Sequence, residues 1–178
     1  MVPNVIKAPP GDGRDVPVTI ARLREIGLFG ALSDEVLDRL AKNLRTSWVS
    51  SGETVFREGE GSAHEMYVLL DGEMEVTKRS RRGRETRIAI LGPSDCFGEM
   101  SVLDLQCRSA TVRALGPSHL LRVTSEDMDA LYRSDLKAYA LIVLNIARDL
   151  SRRLRVTDGI LADFAANLLD EYVATKRP

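Results

Sequence analysis

The sequence predicts a mainly β domain with flanking helices, seven or eight short strands forming a barrel or a sandwich. Three observations carry this expectation. From Trp48 to Thr124 apolar residues recur with a period of two, in short runs separated by Gly, Asp and Ser clusters. Ahead of that block the apolar spacing is three and four, as on one face of a helix. Behind it Leu136, Ala140, Val143, Ala147, Leu150, Leu154, Thr157, Leu161, Phe164 and Leu168 step alternately by four and three, which is a heptad seam.

Residues 1–18 hold Pro3, Pro9, Pro10 and Pro17 with Gly11 and Gly13, show neither period, and read as a flexible leader. The domain proper is expected over 19–135 and the helical C-terminal part over 136–178. Ile20, Leu23 and Ile26 mark a first short helix; Ser33 caps a second, which carries Val36, Leu37, Leu40 and Leu44. Strands follow at 46–50, 53–58, 65–71, 73–79, 84–91, 109–115 and 118–124. Asp71-Gly72 signals a two-residue hairpin, because primed turns require residues that tolerate positive φ, and a second hairpin turns at Arg82-Gly83. Ser125 is expected to cap a short helix with Glu126 and Asp127 in its first turn, where the helix dipole favours acids. The long helix then runs along the heptad seam and breaks near Gly159, leaving Gly159 to Pro178 as a terminal amphipathic helix with Ile160, Leu161, Phe164, Leu168 and Tyr172. Tyr139, Ile142 and Ile146 form a second apolar stripe. A helix apolar on two sides needs two neighbours, so the domain is expected on one side and a second copy of the chain on the other, making a homodimer.

Composition narrows the function. Lys and Arg number 25 against 26 Asp and Glu, for a net charge of −1, without the basic excess of a dedicated nucleic-acid-binding chain. Cys96 and Cys107 are too few for a disulfide framework and lack the paired spacing of a metal site, so two buried thiols in a reducing compartment are expected. No secretory signal is recognisable, and the longest apolar stretch, Ala138 to Ala147, is about half of the roughly 20 residues a bilayer span needs. A cytoplasmic protein without a membrane partner is the expectation.

The segment from Asp95 to Val112 carries the chemistry. Gly98-Glu99 stands at the start of a short helical turn, and nine residues later Arg108-Ser109 opens a strand. A helical start offers free backbone N–H groups, and a Gly lets an anion approach them closely. Arg108 adds a fork that matches phosphate geometry, Ser109 a hydroxyl donor, and Glu99 an acceptor suited to a sugar hydroxyl. Together they describe a ribose-phosphate clamp. From the residues alone this stays open, since an Arg at a strand start commonly makes a surface ion pair and a Glu after Gly often only starts a helix.

The run Gly98-Glu99-Met100, Leu103-Asp104, Gln106 and Arg108-Ser109-Ala110-Thr111-Val112 resembles the phosphate-binding cassette of the cyclic nucleotide-binding domain family. Gly52-Glu53-Thr54-Val55-Phe56-Arg57-Glu58-Gly59-Glu60 and the run from Met66 to Val76 resemble the early strands of the same fold, and the likeness spans about residues 20–158. It implies an eight-stranded jelly-roll barrel with flanking helices and a long C-terminal dimerisation helix, as in catabolite-activator-like proteins and kinase regulatory subunits. It also implies the ligand-binding set. Glu99 would accept the ribose 2′-hydroxyl, Arg108 and Ser109 would bind the cyclic phosphate with the backbone of Gly98 and Glu99, Met100 belongs to the same cassette, and Val76 and Ile88 would line the base and sugar side. Arg152-Arg153-Leu154-Arg155-Val156-Thr157 resembles the activator segment in which a Thr meets the adenine amino group, which puts Thr157 in the pocket. The next position is Asp158 where such activators often carry Ser, so the partner-chain contact to the base lacks its usual hydroxyl. Leu105 stands where Gly is common and Cys107 where Pro is common.

The resemblance implies a cyclic nucleotide ligand, cyclic AMP with cyclic GMP as the alternative, and no other cofactor. Only about 20 residues follow Thr157, with no recognition helix among them, so the expectation is a stand-alone sensor that moves its C-terminal helix and signals to an effector protein. A nucleotide-independent scaffold of the same fold and a truncated DNA-binding regulator are the alternatives. His64 and His119 are isolated, and no nucleophile-base set, Walker loop or GxGxxG is present, so neither catalytic residues nor metal ligands are expected. Lys78, Arg79, Arg81, Arg82, Arg84 and Arg87 crowd one hairpin; a solvated tip that discourages edge pairing accounts for them, with an acidic partner or nucleic acid as the other reading.

Overall fold

The computed structural model describes residues 17–61 and 64–175, with side chains through residue 167. The expected leader lies outside them up to residue 16, as do the side chains of Leu168 and Tyr172. Helix α1 (Ile20–Arg24) is capped by Thr19 and is followed by a single 3-10 turn at Gly27–Phe29. Helix α2 (Asp34–Asn43) starts from the Ser33 cap and buries Val36, Leu37 and Leu40.

Eight strands follow: β1 (Arg45–Val49), β2 (Thr54–Phe56), β3 (Glu65–Asp71), β4 (Met74–Arg79), β5 (Glu85–Leu91), β6 (Cys96–Phe97), β7 (Thr111–Ala114) and β8 (Ser118–Thr124). They form two antiparallel four-stranded sheets, β1-β8-β3-β6 and β2-β7-β4-β5, in jelly-roll order. Strand β4 pairs with β5 around a turn whose Gly83 has φ 80°, as the Arg82-Gly83 signal requires. The Asp71-Gly72 hairpin does not form: β3 and β4 lie in different sheets, and the turn is a corner between them. Gly72 has φ 101°, and a Cβ there would stand 2.7 Å from Ser118 Cα and 2.8 Å from the Pro117 carbonyl. The glycine therefore serves a close backbone crossing as well as a positive φ.

Strand β3 is buried on both faces, which explains its unbroken apolar run. Tyr67 and Leu69 face the other sheet, packing with Phe56, Met74, Phe97, Val112 and Leu120. Met66, Val68 and Leu70 face the helices, packing with Leu23, Phe29, Leu37, Leu121 and Ile142. Helix α4 (Ser125–Ser134) is capped by Thr124 instead of Ser125. Thr124 is extended, its hydroxyl accepts from the Asp127 N–H at 3.1 Å, and Asp127 accepts from the Thr124 N–H at 2.9 Å, a reciprocal capping box.

Helix α5 (Leu136–Thr175) runs unbroken through Gly159, so the expected division into two helices is not observed. One Gly in a helix costs only about 1 kcal/mol relative to Ala, too little to end it without a cap. Of its two apolar stripes, the one containing Ile142 and Ile146 packs on the domain together with Ala138, and Tyr139 sits at its edge. Asn145 pins that face by donating to the carbonyls of Leu28 at 3.1 Å and Gly30 at 3.0 Å. Seam residues Leu154, Leu161 and Phe164 are about 60% exposed, while Val143 and Leu150 lean on the domain. Among the described residues no helix is long and apolar enough to cross a membrane.

Candidate functional site

Helix α3 (Glu99–Asp104) begins at Gly98, whose left-handed φ of 78° turns the chain out of β6. The same glycine makes room for Arg108. A Cβ at position 98 would lie 2.8 Å from Arg108 Nη1 and 3.2 Å from both the Glu65 carbonyl and the Phe56 ring. Arg108 is buried, its guanidinium 4.1 Å from the centre of the Phe56 ring. Its Nη1 donates to the Glu65 carbonyl at 2.7 Å, the Gly98 carbonyl at 3.1 Å and Ser101 Oγ at 2.7 Å. Burial lowers the Arg108 pKa, opposed by Tyr67, Glu65, Glu60 and Glu99. Backbone bonds close the cradle: Arg108 N–H donates to the Glu60 carbonyl, and Gly59 N–H to the Arg108 carbonyl, both at 2.9 Å. Beneath Phe56, the rings of Tyr67 and Phe97 stack with centroids 5.4 Å apart and make a stiff floor.

Glu99 is 4% exposed. Burial pushes its carboxyl above the usual carboxylate range, against its own backbone N–H and the nearby Arg153. Arg153 comes from α5, placing Nη1 3.5 Å from Glu99 Oε1 while Nη2 donates to the Cys96 carbonyl at 2.5 Å and pairs with Asp149 at 2.8 Å. One side chain thus ties the long helix to both ends of the β6–α3 junction. Behind it opens a cavity of about 340 Å3 lined by Ser94, Cys96, Glu99, Asn145, Ile146 and Asp149, among others.

The other expected residues are less gathered. Ser109 is exposed, with Oγ 3.5 Å from Met100 Sδ, and its carbonyl accepts from Lys78 at 2.5 Å. The strand expected to open at Arg108-Ser109 begins at Thr111. Val76 lies against the inter-sheet core. Ile88 is 58% exposed and is the residue skipped where the β4–β5 register passes from Val76↔Ala89 to Thr77↔Arg87. Thr157 is exposed on α5 and its hydroxyl donates to the Arg153 carbonyl at 3.0 Å. Leu105, standing where Gly is common, has φ 56°, a conformation that costs a side chain roughly 1–2 kcal/mol. Cys96 is buried but Cys107 is exposed, contrary to the expected pair of buried thiols, because it stands on the outer turn of the cassette. Sequence reasoning missed Phe56, Ser101 and Arg153 as site residues; only Arg153 had a local signal, four residues after Asp149 and four before Thr157.

Comparison with known proteins decides the family. The model of the cyclic nucleotide-binding domain matches residues 47–135. This chain belongs to the cyclic nucleotide-binding domain family. A CRP-like cAMP-activated global transcriptional regulator of Mycobacterium tuberculosis is 35% identical over 141 residues, 79% of this chain and 61% of that protein. The crystal structure of the Thermus thermophilus catabolite activator protein superposes with a TM-score of 0.67 at 32% identity, covering 78% of this chain and 63% of that one. A cyclic nucleotide-binding domain from Methylobacillus flagellatus, 24% identical, covers 81% of each chain with a TM-score of 0.73 and supports the fold. The chain thus spans somewhat under two thirds of the length of the regulator it matches. Within the cyclic nucleotide-binding domain, the matched stretch contains both Gly98-Glu99 and Arg108-Ser109.

Proposed function

We propose that this chain is a cyclic nucleotide sensor that binds cyclic AMP, changes the position of α5 on binding, and signals through that helix to a partner protein. The observation that carries this reading is Arg108, buried between Gly98 and the Phe56 ring, at the position to which the resemblance assigns the cyclic phosphate. Glu99 would take the ribose 2′-hydroxyl, Ser109 and the cassette backbone the phosphate oxygens, and Val76, Ile88 and Thr157 the base side.

Arg153 supports the coupling. It bridges Glu99 and α5, so a sugar hydroxyl arriving at Glu99 changes the partner that Arg153 meets and with it the preferred position of the helix. A ligand shifts such an equilibrium by its difference in affinity for the two helix positions. The exposed seam suits a second copy, so the sensor is read as a cytoplasmic homodimer and not an enzyme; Leu154→Glu with Leu161→Glu should yield monomers in sedimentation. Isothermal titration with cyclic AMP and cyclic GMP tests the sensing role. Micromolar or tighter binding of cyclic AMP supports it, and absence of binding to either nucleotide counts against it and favours a nucleotide-independent role such as a scaffold.

A further inference from the structure

We propose that Ser101 is a positioning residue that sets the orientation in which Arg108 is presented to a cyclic phosphate; for its ligand, this rests on the sensor reading above. Ser101 is 4% exposed and lies in α3, in the turn that also carries Glu99. Its hydroxyl has one hydrogen, and that hydrogen is committed to the Gly98 carbonyl three residues back, at 3.0 Å. Its lone pairs are therefore left to receive the Arg108 guanidinium, 2.7 Å away. The direction of this contact is fixed by chemistry, since Arg has no acceptor.

The surrounding contacts divide the task. The Phe56 ring, its centre 4.1 Å from the guanidinium carbon, covers one side of the group. The carbonyls of Glu65 and Gly98 take Nη1 from the strand side and from the helix start. Ser101 adds the only one of these three oxygens that belongs to a side chain, so it is the one a substitution can remove. His64 Nδ1 lies 3.2 Å from the Ser101 carbonyl and ties the same residue to the entry of β3. Because Ser101 and Glu99 share one helical turn, the hydroxyl indexes the phosphate-facing cation against the sugar-facing carboxylate. Loss of Ser101 would leave Arg108 held by the two carbonyls but with its rotation less restrained, weakening contacts that depend on direction.

Two measurements test this. In nucleotide-free protein, 15N side-chain relaxation should show hindered rotation of the Arg108 guanidinium, and Ser101→Ala should speed it while Ser101→Thr, which keeps the hydroxyl, restores it. With cyclic AMP, Ser101→Ala should weaken binding roughly 5- to 20-fold, toward or below the low end of the roughly 10- to 150-fold of one hydrogen bond to a charged group, because Ser101 acts through Arg108 and does not touch the ligand. It should also narrow the preference between the two diastereomeric phosphorothioate analogues. In an Arg108→Lys background, which keeps the charge and loses the fork, Ser101→Ala should cost no further affinity. An equal loss in both backgrounds, or unchanged guanidinium rotation in Ser101→Ala, overturns the proposal. Failure of the parent chain to bind any cyclic nucleotide would sink the sensor reading instead, and the relaxation comparison would still decide whether Ser101 holds Arg108.

Discussion

The two sides of the candidate pocket are built to different degrees. On the phosphate side Arg108 is gripped by two carbonyls, a hydroxyl and an aromatic ring, and Gly98 is shaped to its van der Waals surface. On the base side Val76 is half-buried, Ile88 is 58% exposed, and Thr157 stands on an exposed stretch of α5. On the proposed reading, one side is preformed within the chain and the other would be completed by α5 or a second copy. The difference teaches where a signal arises. If the chain is the proposed sensor, a preformed side would supply affinity without changing shape, whereas an unfinished side would convert occupancy into helix position.

The largest expected effect comes from dismantling the rigid side. Arg108→Ala should weaken cyclic AMP binding by roughly 2–4 kcal/mol, since a charge-assisted contact is lost and the phosphate left poorly compensated. Because Arg108 also joins Gly98 to Glu65, the thermal midpoint should fall by a few degrees as well, about 2–4 °C per kcal/mol for a chain of this size. Calorimetric titration and thermal unfolding read the two effects separately. Parent-like affinity would take Arg108 out of the site.

Gly98→Ala comes next. The new Cβ meets Arg108 Nη1 at 2.8 Å and must adopt φ 78°, which costs roughly 1–2 kcal/mol before any displacement of the guanidinium. Stability and affinity should fall together, while Gly83→Ala, strained by a φ of 80° but with nothing near its Cβ, should lower stability alone. If both variants bind as tightly as the parent, the contact between Gly98 and Arg108 is not part of the binding geometry.

The same contrast explains what could be read in the sequence. The strands were legible because a half-buried strand repeats every two residues, and β3 because an apolar run buried on both faces has few other readings. Strand β6 was not, being two residues long. The Asp71-Gly72 signal announced a turn correctly, but whether β3 and β4 pair depends on the crossing of Gly72 over Ser118, a contact no local pattern records. At the site, Gly98, Glu99, Arg108 and Ser109 were legible through their spacing and family likeness. The Glu65 carbonyl reaches Arg108 across 43 residues and Arg153 reaches Cys96 across 57, so the grip and the latch became visible only on folding.

Glu99, buried against Arg153 of α5, makes a pH-dependent contribution to stability. Its folded pKa is raised, chiefly by burial, so the folded chain holds this proton more tightly than the unfolded chain. Its contribution to stability is therefore greatest below the ordinary carboxylate value near 4.5 and declines as pH rises through the folded value. Glu99→Gln should remove that decline, raising the thermal midpoint at pH 7, while weakening cyclic AMP by about 1–1.5 kcal/mol because a neutral amide is the poorer acceptor. A variant that unfolds at lower temperature than the parent at pH 7 would mean that the Arg153 pairing outweighs the burial cost.

The smallest effect belongs to the unfinished side. A hydroxyl on an apolar seam costs packing energy unless something bonds to it, and Thr157 has a partner in the Arg153 carbonyl of its own helix at 3.0 Å. Thr157→Val should then leave stability within about 0.5 kcal/mol of the parent, the usual range for a surface exchange. If α5 closes on the base, the same hydroxyl must meet it, and Val should reduce cyclic AMP affinity by about 1 kcal/mol, the scale of one net hydrogen bond. A hydroxyl accepts from the adenine amino group and donates to the guanine carbonyl, so cyclic GMP should also weaken, and the preference between the two should shift by less than either loss. Titrating both nucleotides into both proteins measures this. Unchanged affinity for both would show that Thr157 serves the helix alone, and that the base is held by Val76, Ile88 or a second chain.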